Sequence, residues 1–120
     1  MSVPLSVVIL SKDEAAHIHD CIQSVTWADE VLVIDDESTD DTVPIAQSLG
    51  ARVLRRRMEN EGRHRNWAYA QAKHLWILSL DADERVTPEL AREIEEVFRS
   101  EPPWNGATIP IRNYLGTYWL

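Results

Sequence analysis

Four short apolar runs, Leu5 to Leu10, Val31 to Ile34, Ala51 to Leu54 and Leu75 to Leu80, limit the fold most strongly. They are rich in Val, Ile and Leu and lack clean alternation of apolar and polar residues. Runs of this kind are strands covered on both faces. The segments between them have helical spacing. Ala15, Ile18, Ile22 and Val25 repeat at three and four behind Ser11-x-x-Glu14, which fits a capping box. A second helix is expected to begin near Asp40 or Asp41, to carry Pro44 in its first turn and to stop at Gly50. A third spans about Arg63 to Lys73. A fourth opens with Thr87-Pro88, an N-cap followed by proline at the first helical position, and places Leu90, Ile94, Val97 and Phe98 on one face. Strand and helix in alternation predict a mostly parallel, right-handed α/β sheet flanked by helices, in one domain over residues 1–120. Beyond Ser100, a turn-rich loop from Glu101 to Gly106 precedes a predicted strand, Ala107 to Arg112. The aromatic tail Tyr114 to Leu120 calls for a cover elsewhere in the protein.

In parallel α/β sheets, ligands bind beyond the carboxyl ends of the strands. Here strand one runs into Ser11-Lys12-Asp13-Glu14, strand two into Asp35-Asp36-Glu37-Ser38 and strand four into Asp81-Ala82-Asp83-Glu84. Acids gathered at one edge repel one another, so a bound cation explains them better than solubility does. Residues i and i+2 of a strand face the same way, so Asp81 and Asp83 are expected to converge while Ala82 turns away. Two hard oxygen ligands suit Mg²⁺ or Mn²⁺ shared with substrate phosphates. Taken alone, such a pair is more often only a solvated strand end with a helix cap. Arg55, Arg56 and Arg57 close strand three and either balance this charge, meet phosphate or form a solvated basic edge.

Other classes fall away on composition and spacing. A net charge of -8 offers no basic surface for general nucleic-acid binding. Cys21 is the only cysteine, which excludes a disulfide framework and a thiolate metal site. His17, His19, His64 and His74 are read as surface residues, not a metal cluster. A phosphoacceptor receiver domain needs its aspartate after strand three, where three arginines stand. A haloacid-dehalogenase-type phosphatase wants Thr or Val where Arg85 stands. An EF-hand loop starting at Asp36 meets Asp41 at its glycine and Gln47 at its glutamate. The start of the chain lacks a basic leader, and its apolar run is too short for a signal peptide or a membrane span. The cytoplasm is therefore the expected location, with Arg52 to Arg57 either touching anionic lipid at the inner membrane face or forming a solvated edge.

Several of these segments, in order, resemble the family 2 glycosyltransferases, enzymes of GT-A fold that use nucleotide-sugar donors. Leu5 to Glu14 looks like the family's first strand and nucleotide loop, and Val33 to Thr42 is similar to its Asp-Asp-Gly-Ser-x-Asp-Gly-Thr motif. Arg65-Asn66-Trp67-Ala68 resembles the segment before the fourth strand, and Leu80 to Glu84 resembles the Asp-x-Asp motif. The resemblance implies a Rossmann-like GT-A domain. Asp35 would accept a hydrogen bond from the donor's base, and Glu14, with the backbone of Ser11 and Lys12, would border the nucleotide. Asp81 would lie near the ribose or diphosphate. Asp83 would hold Mg²⁺ or Mn²⁺, and Arg65 would either add positive charge near the diphosphate or sit as a surface helix arginine. The implied partners are a nucleotide-diphosphate sugar, UDP-linked by expectation, and a saccharide or lipid-linked acceptor in building a lipopolysaccharide core or another surface glycan. Glu37 and Asp41 stand where the motif has glycine, leaving that turn's geometry open. The family's acceptor site and general base are expected beyond residue 120, so the chain is read as the donor-binding part, C-terminally incomplete. A non-catalytic nucleotide-sugar-binding or interaction module of the same fold is the other reading.

Overall fold

The computed structural model describes residues 3–99 and the backbone of two short strand segments, Tyr114–Leu115 and Tyr118–Trp119. The strand predicted over Ala107 to Arg112 and the loop before it lie outside the described residues. The ordered elements are β1 (Val3–Ser11), α1 (Ile18–Gln23), β2 (Ala28–Asp35), α2 (Thr42–Ser48), β3 (Arg52–Arg55), α3 (Glu61–Ala70), β4 (Ile77–Asp81) and α4 (Pro88–Arg99). The two short segments, β5 and β6, pair antiparallel.

The main sheet has the order β3-β2-β1-β4, and every pairing is parallel. Alternate β1 side chains serve different cores. Val3, Leu5, Val7 and Ile9 join Ile18, Ile22, Val33, Ala46, Leu80, Leu90 and Ile94, whereas Val8 joins Leu32, Ile34 and Ala68. Thus α1, α2 and α4 cover one face and α3 the other. Lack of alternation in the sequence follows directly from this double cover. The order also explains why α3 stands apart. Right-handed crossovers put α1 and α2 on one face as the chain steps from β1 to β3, and the return step from β3 to β4 puts α3 on the opposite face.

The predicted helix starts hold in part. Thr87 Oγ1 accepts from the Leu90 N–H (3.2 Å) ahead of Pro88, and Leu90 and Ile94 are buried. Gly50 follows α2 at φ +87°, the left-handed geometry that glycine adopts freely. The third helix is capped by Asn60, whose Oδ1 accepts from the Arg63 N–H, and it ends at Ala70 rather than Lys73. The capping box at Ser11 does not form. Helix α1 begins only at Ile18 without a side-chain cap, because the Ser11 hydroxyl is taken by the carboxylate of Asp35. Strand four starts at Ile77, and Leu75 is fully exposed while Trp76 packs against the core.

At the edge of the sheet away from the acidic loops, Glu30 is buried, yet charged. Its carboxylate accepts from Ser6 Oγ (2.7 Å), the Lys73 N–H (2.8 Å) and Arg52 Nη1 (3.2 Å). Burial opposes its charge, but the Lys73, Ser6 and Arg52 donors outweigh it and hold the carboxyl below its ordinary range. A depressed folded-state value adds stability above the unfolded value, and that stability is lost as pH falls through the folded one. Replacing Glu30 with Gln is expected to cost about 1–3 kcal/mol near neutrality and to flatten the acid limb of a urea-denaturation stability profile against pH.

Candidate functional site

Strands β1 and β4 are neighbours in space, but β1 leads away toward β2 and β3. Their carboxyl ends therefore flank the point where strand order reverses, the expected place for a ligand. A cleft of about 300 Å³ opens there. Its walls are Leu10, Ser11, Lys12 and Glu14 after β1, Asp36 and Met58 after β2 and β3, Glu61, His64 and Arg65 from α3, and Asp81, Ala82 and Asp83 after β4. Ser11, Lys12, Glu14, Arg65, Asp81 and Asp83 thus meet in one cleft.

Asp35 does not line it. This carboxylate is completely buried, and three protein donors occupy it: Ser11 Oγ (2.9 Å) and Ser38 Oγ (2.6 Å) on Oδ1, and the Ser38 N–H (2.8 Å) on Oδ2. Strand parity explains the exchange. Asp35 shares the face of Val33, under α1 and α2, whereas Asp36 continues the face of Leu32 and Ile34, under α3. Asp36 is the residue that reaches the cleft, where its Oδ1 accepts from the Met58 N–H (2.9 Å).

The rest of the second-strand motif stitches one loop to the other. Asp36 N–H donates to Ser11 O (2.9 Å), Asp13 N–H to Ser38 Oγ (2.8 Å), Glu14 N–H to Thr42 Oγ1 (2.8 Å) and Ala15 N–H to Asp40 Oδ2 (3.1 Å). In return the Thr39 N–H donates to Asp13 Oδ1 (2.7 Å). Asp13 and Glu37 sit at φ +51° and +53°, left-handed positions that cost a non-glycine residue roughly 1–2 kcal/mol. The glycine geometry is therefore kept at Glu37 without glycine. At Asp41, where φ is -82°, it is not required.

On the other wall, Arg65 spans the acids. Its guanidinium reaches Glu61 (3.2 Å), Ser79 Oγ (3.2 Å) and Asp81 Oδ1 (3.4 Å). It is a fixed cation rather than a loose surface arginine. Asp81 is the last residue of β4, and the chain then turns, with the Glu84 N–H on Asp81 O (2.9 Å) and the Asp81 N–H on Glu84 Oε1 (2.7 Å). Asp81 and Asp83 therefore meet the cleft through a turn, not through the strand spacing expected. Ala82 is buried and bonds Leu10 O through its N–H (3.1 Å). Burial first, and then Asp83, Asp40 and Asp81 against the pull of His17, raise the Glu14 carboxyl above its ordinary value. Burial likewise raises Glu84, assisted by Asp81 and Asp83. Behind this wall, burial pushes the Cys21 thiol up to about 12, with the same acids adding to the shift, so it stays an inert thiol.

These residues fit a shared divalent ion. Among the described residues the exposed Asp83 carboxylate in the cleft has no protein partner, and the Asp81 carboxylate has only Arg65, at the long distance given above. Among the described residues no group of three or more His, Cys, Asp or Glu side chains could hold a metal ion by itself. An ion held here takes its other ligands from phosphate and water, the habit of Mg²⁺ and Mn²⁺. Of the four histidines, His17 and His19 are exposed, as expected. His64 is not a surface residue: it is 3% exposed and forms part of the cleft wall. His74 is partly covered and meets Asp29 Oδ2 at 2.6 Å. Met58, Glu61 and His64 were not singled out as cleft residues, because nothing in their local sequence marks them; only the seating of α3 over the β1 exit does.

Comparison with known proteins places these features in a wider group. Residues 6–118 match the family described as Glycosyl transferase family 2. A protein of Rickettsia bellii described as an uncharacterized glycosyltransferase is 46% identical over 98 residues, covering 81% of this chain and 33% of the relative. The lipopolysaccharide core biosynthesis glycosyltransferase LpsC of Rhizobium meliloti is 27% identical, covering 97% of this chain and 45% of its own. Among solved structures, glucosyl-3-phosphoglycerate synthase from Mycobacterium tuberculosis, in complex with Mn²⁺, UDP and phosphoglyceric acid, superposes with a TM-score of 0.66. It is 25% identical and covers 78% of this chain and 38% of that one. The chain thus spans about a third of the length of the first of these curated relatives.

The two neighbouring aspartates separate by experiment. Asp35→Ala is expected to cost about 3 kcal/mol or more in chemical denaturation, since it strands buried donors. Asp36→Ala is expected to cost about 1 kcal/mol and to leave the fold intact.

Proposed function

The chain belongs to glycosyltransferase family 2 and has its GT-A, Rossmann-like fold, and we propose that it is the donor-binding part of an enzyme moving a sugar from a nucleoside diphosphate. The observation that carries this reading is the cleft at the strand-order reversal. There Asp81, Asp83 and Glu14 stand opposite the anchored Arg65.

In this reading Lys12, its ammonium on Asp36 O (3.2 Å), and Asp36 border the base and ribose. The base-contacting role first expected of Asp35 passes to Asp36, and Asp35 shapes the loop that presents it. Arg65 faces the diphosphate while orienting Asp81. Asp83, with Asp81 beside it, would hold Mg²⁺ or Mn²⁺, which when bound neutralises charge developing on the departing diphosphate. A UDP-linked donor is favoured because the M. tuberculosis synthase of similar fold holds UDP with Mn²⁺. A cell-envelope glycan or lipid-linked acceptor is favoured by likeness to LpsC. No residue of this stretch is assigned as the general base.

Calorimetric titration with UDP tests the reading. UDP is expected to bind the native chain at least about tenfold more tightly with Mn²⁺ than without, and Asp83→Ala is expected to remove that gain. Binding that ignores both metal and substitution would refute the donor site. Metal-dependent UDP binding without any sugar transfer or donor hydrolysis, in this chain and in one extended to the length of its relatives, would favour the non-catalytic module.

A further inference from the structure

Beside His64, whose side chain also lines the donor cleft, lies a second cavity of about 340 Å³, within the range of small-molecule sites (about 300–1,000 Å³). It is lined by Arg56, Arg57, Glu59, Asn60, Arg63 and His64. Three guanidiniums face one carboxylate in a chain whose net charge is -8. With acids so abundant, arginines left without them are unexpected. Among the described residues neither Arg57 nor Arg63 makes an ion pair or a side-chain hydrogen bond, and Arg56 instead lies over the Trp67 ring at 4.6 Å. Stacking fixes the plane of Arg56 and leaves its edge donors free.

A second observation points to a ligand. His64 is almost wholly buried, and its Nδ1 has no hydrogen-bond partner, a deficit worth about 1–3 kcal/mol. Burial first, and the Arg56 and Arg65 cations against the pull of Asp36, hold its imidazole below the ordinary value. An anion in the adjoining cavity would supply the counter-charge that the three arginines lack and an acceptor within reach of this ring.

We propose that the cavity between the β3 exit and the first turn of α3 is a second anion site, taking a phosphate or phosphomonoester group apart from the donor diphosphate. The group is recognised by the forks of Arg56, Arg57 and Arg63, with the Asn60 end of α3 behind them. A phosphorylated small molecule and the headgroup of an anionic lipid share this chemistry. The inference does not depend on the donor reading.

The test is NMR of the 120-residue chain, following the Arg57 and Arg63 Nε–H signals and the His64 ring during titration with glycerol 3-phosphate, against sodium chloride at matched ionic strength. A parallel arm measures sedimentation with vesicles containing phosphatidic acid. Arg57→Gln/Arg63→Gln is the variant, since both side chains are exposed and the fold does not rest on them. Saturable shifts with glycerol 3-phosphate, weakened about tenfold or more in the variant, support a soluble phosphomonoester. Vesicle binding alone, weakened in the same way, supports the lipid headgroup. Absence of both, or binding undiminished in the variant, overturns the site. UDP with Mn²⁺ is the control arm: its affinity is expected to stay within about twofold in the variant, and a matching tenfold loss would merge the cavity into the donor cleft and overturn a separate site. Failure of UDP to bind the native chain would count against the donor reading alone.

Discussion

A carboxylate sealed from water must collect donors or give up its charge, and Asp35 collects them from both loops that leave the centre of the sheet. Ser11 comes from the exit of β1 and Ser38 from the loop after β2, so one buried group fixes the distance between them. The Asp13, Asp40 and Thr42 bonds then complete the seam. Its consequence is a rigid rim on which Lys12, Glu14 and Asp36 stand, at a cost of two left-handed non-glycine residues. Serine, threonine and aspartate fill this motif because each offers a short polar arm to a neighbouring backbone.

The cleft depends equally on which face α3 covers. Leu10, Asp36 and Asp81 lie at or next to the ends of their strands on the α3 side, and α3 brings Arg65 down between Ser79 and Asp81. The cation holds the acidic wall in place, yet leaves Asp83 without a protein partner among the described residues. The Glu14 and Glu84 carboxyls, raised first by burial, are raised further by the same excess of negative charge. In the proposed reading a divalent ion and a diphosphate would relieve it together, the ion meeting the carboxylates and the phosphates completing its shell. Under that proposal the site would hold metal poorly alone and take it together with the nucleotide.

Much of the fold was legible because doubly covered strands leave long apolar runs and helices leave caps, as at Thr87-Pro88 and Gly50. Ends were less legible. Ser11-x-x-Glu14 has the residues of a capping box, but a buried carboxylate across the sheet competed successfully for the serine. In the site, acids at three strand ends were readable, and because neighbours in a strand face opposite ways, Asp35 and Asp36 cannot both face one ligand. Choosing between them required the strand order 3-2-1-4, which decides the face of α3 and is not written in any one segment. His64 was missed for the same reason: a single histidine in a polar helix carries no sign that its helix will seat it against the sheet.

The central claim is that the β1 and β4 exits form one metal-nucleotide cleft. Paramagnetic broadening of backbone amides by substoichiometric Mn²⁺, with and without UDP, measures this most directly. The account predicts that UDP concentrates the broadening on residues 12–14, 36 and 81–84 and spares the opposite edge around Glu30 and Lys73. Broadening that is diffuse, or that centres away from Asp83 whether or not UDP is present, would contradict it.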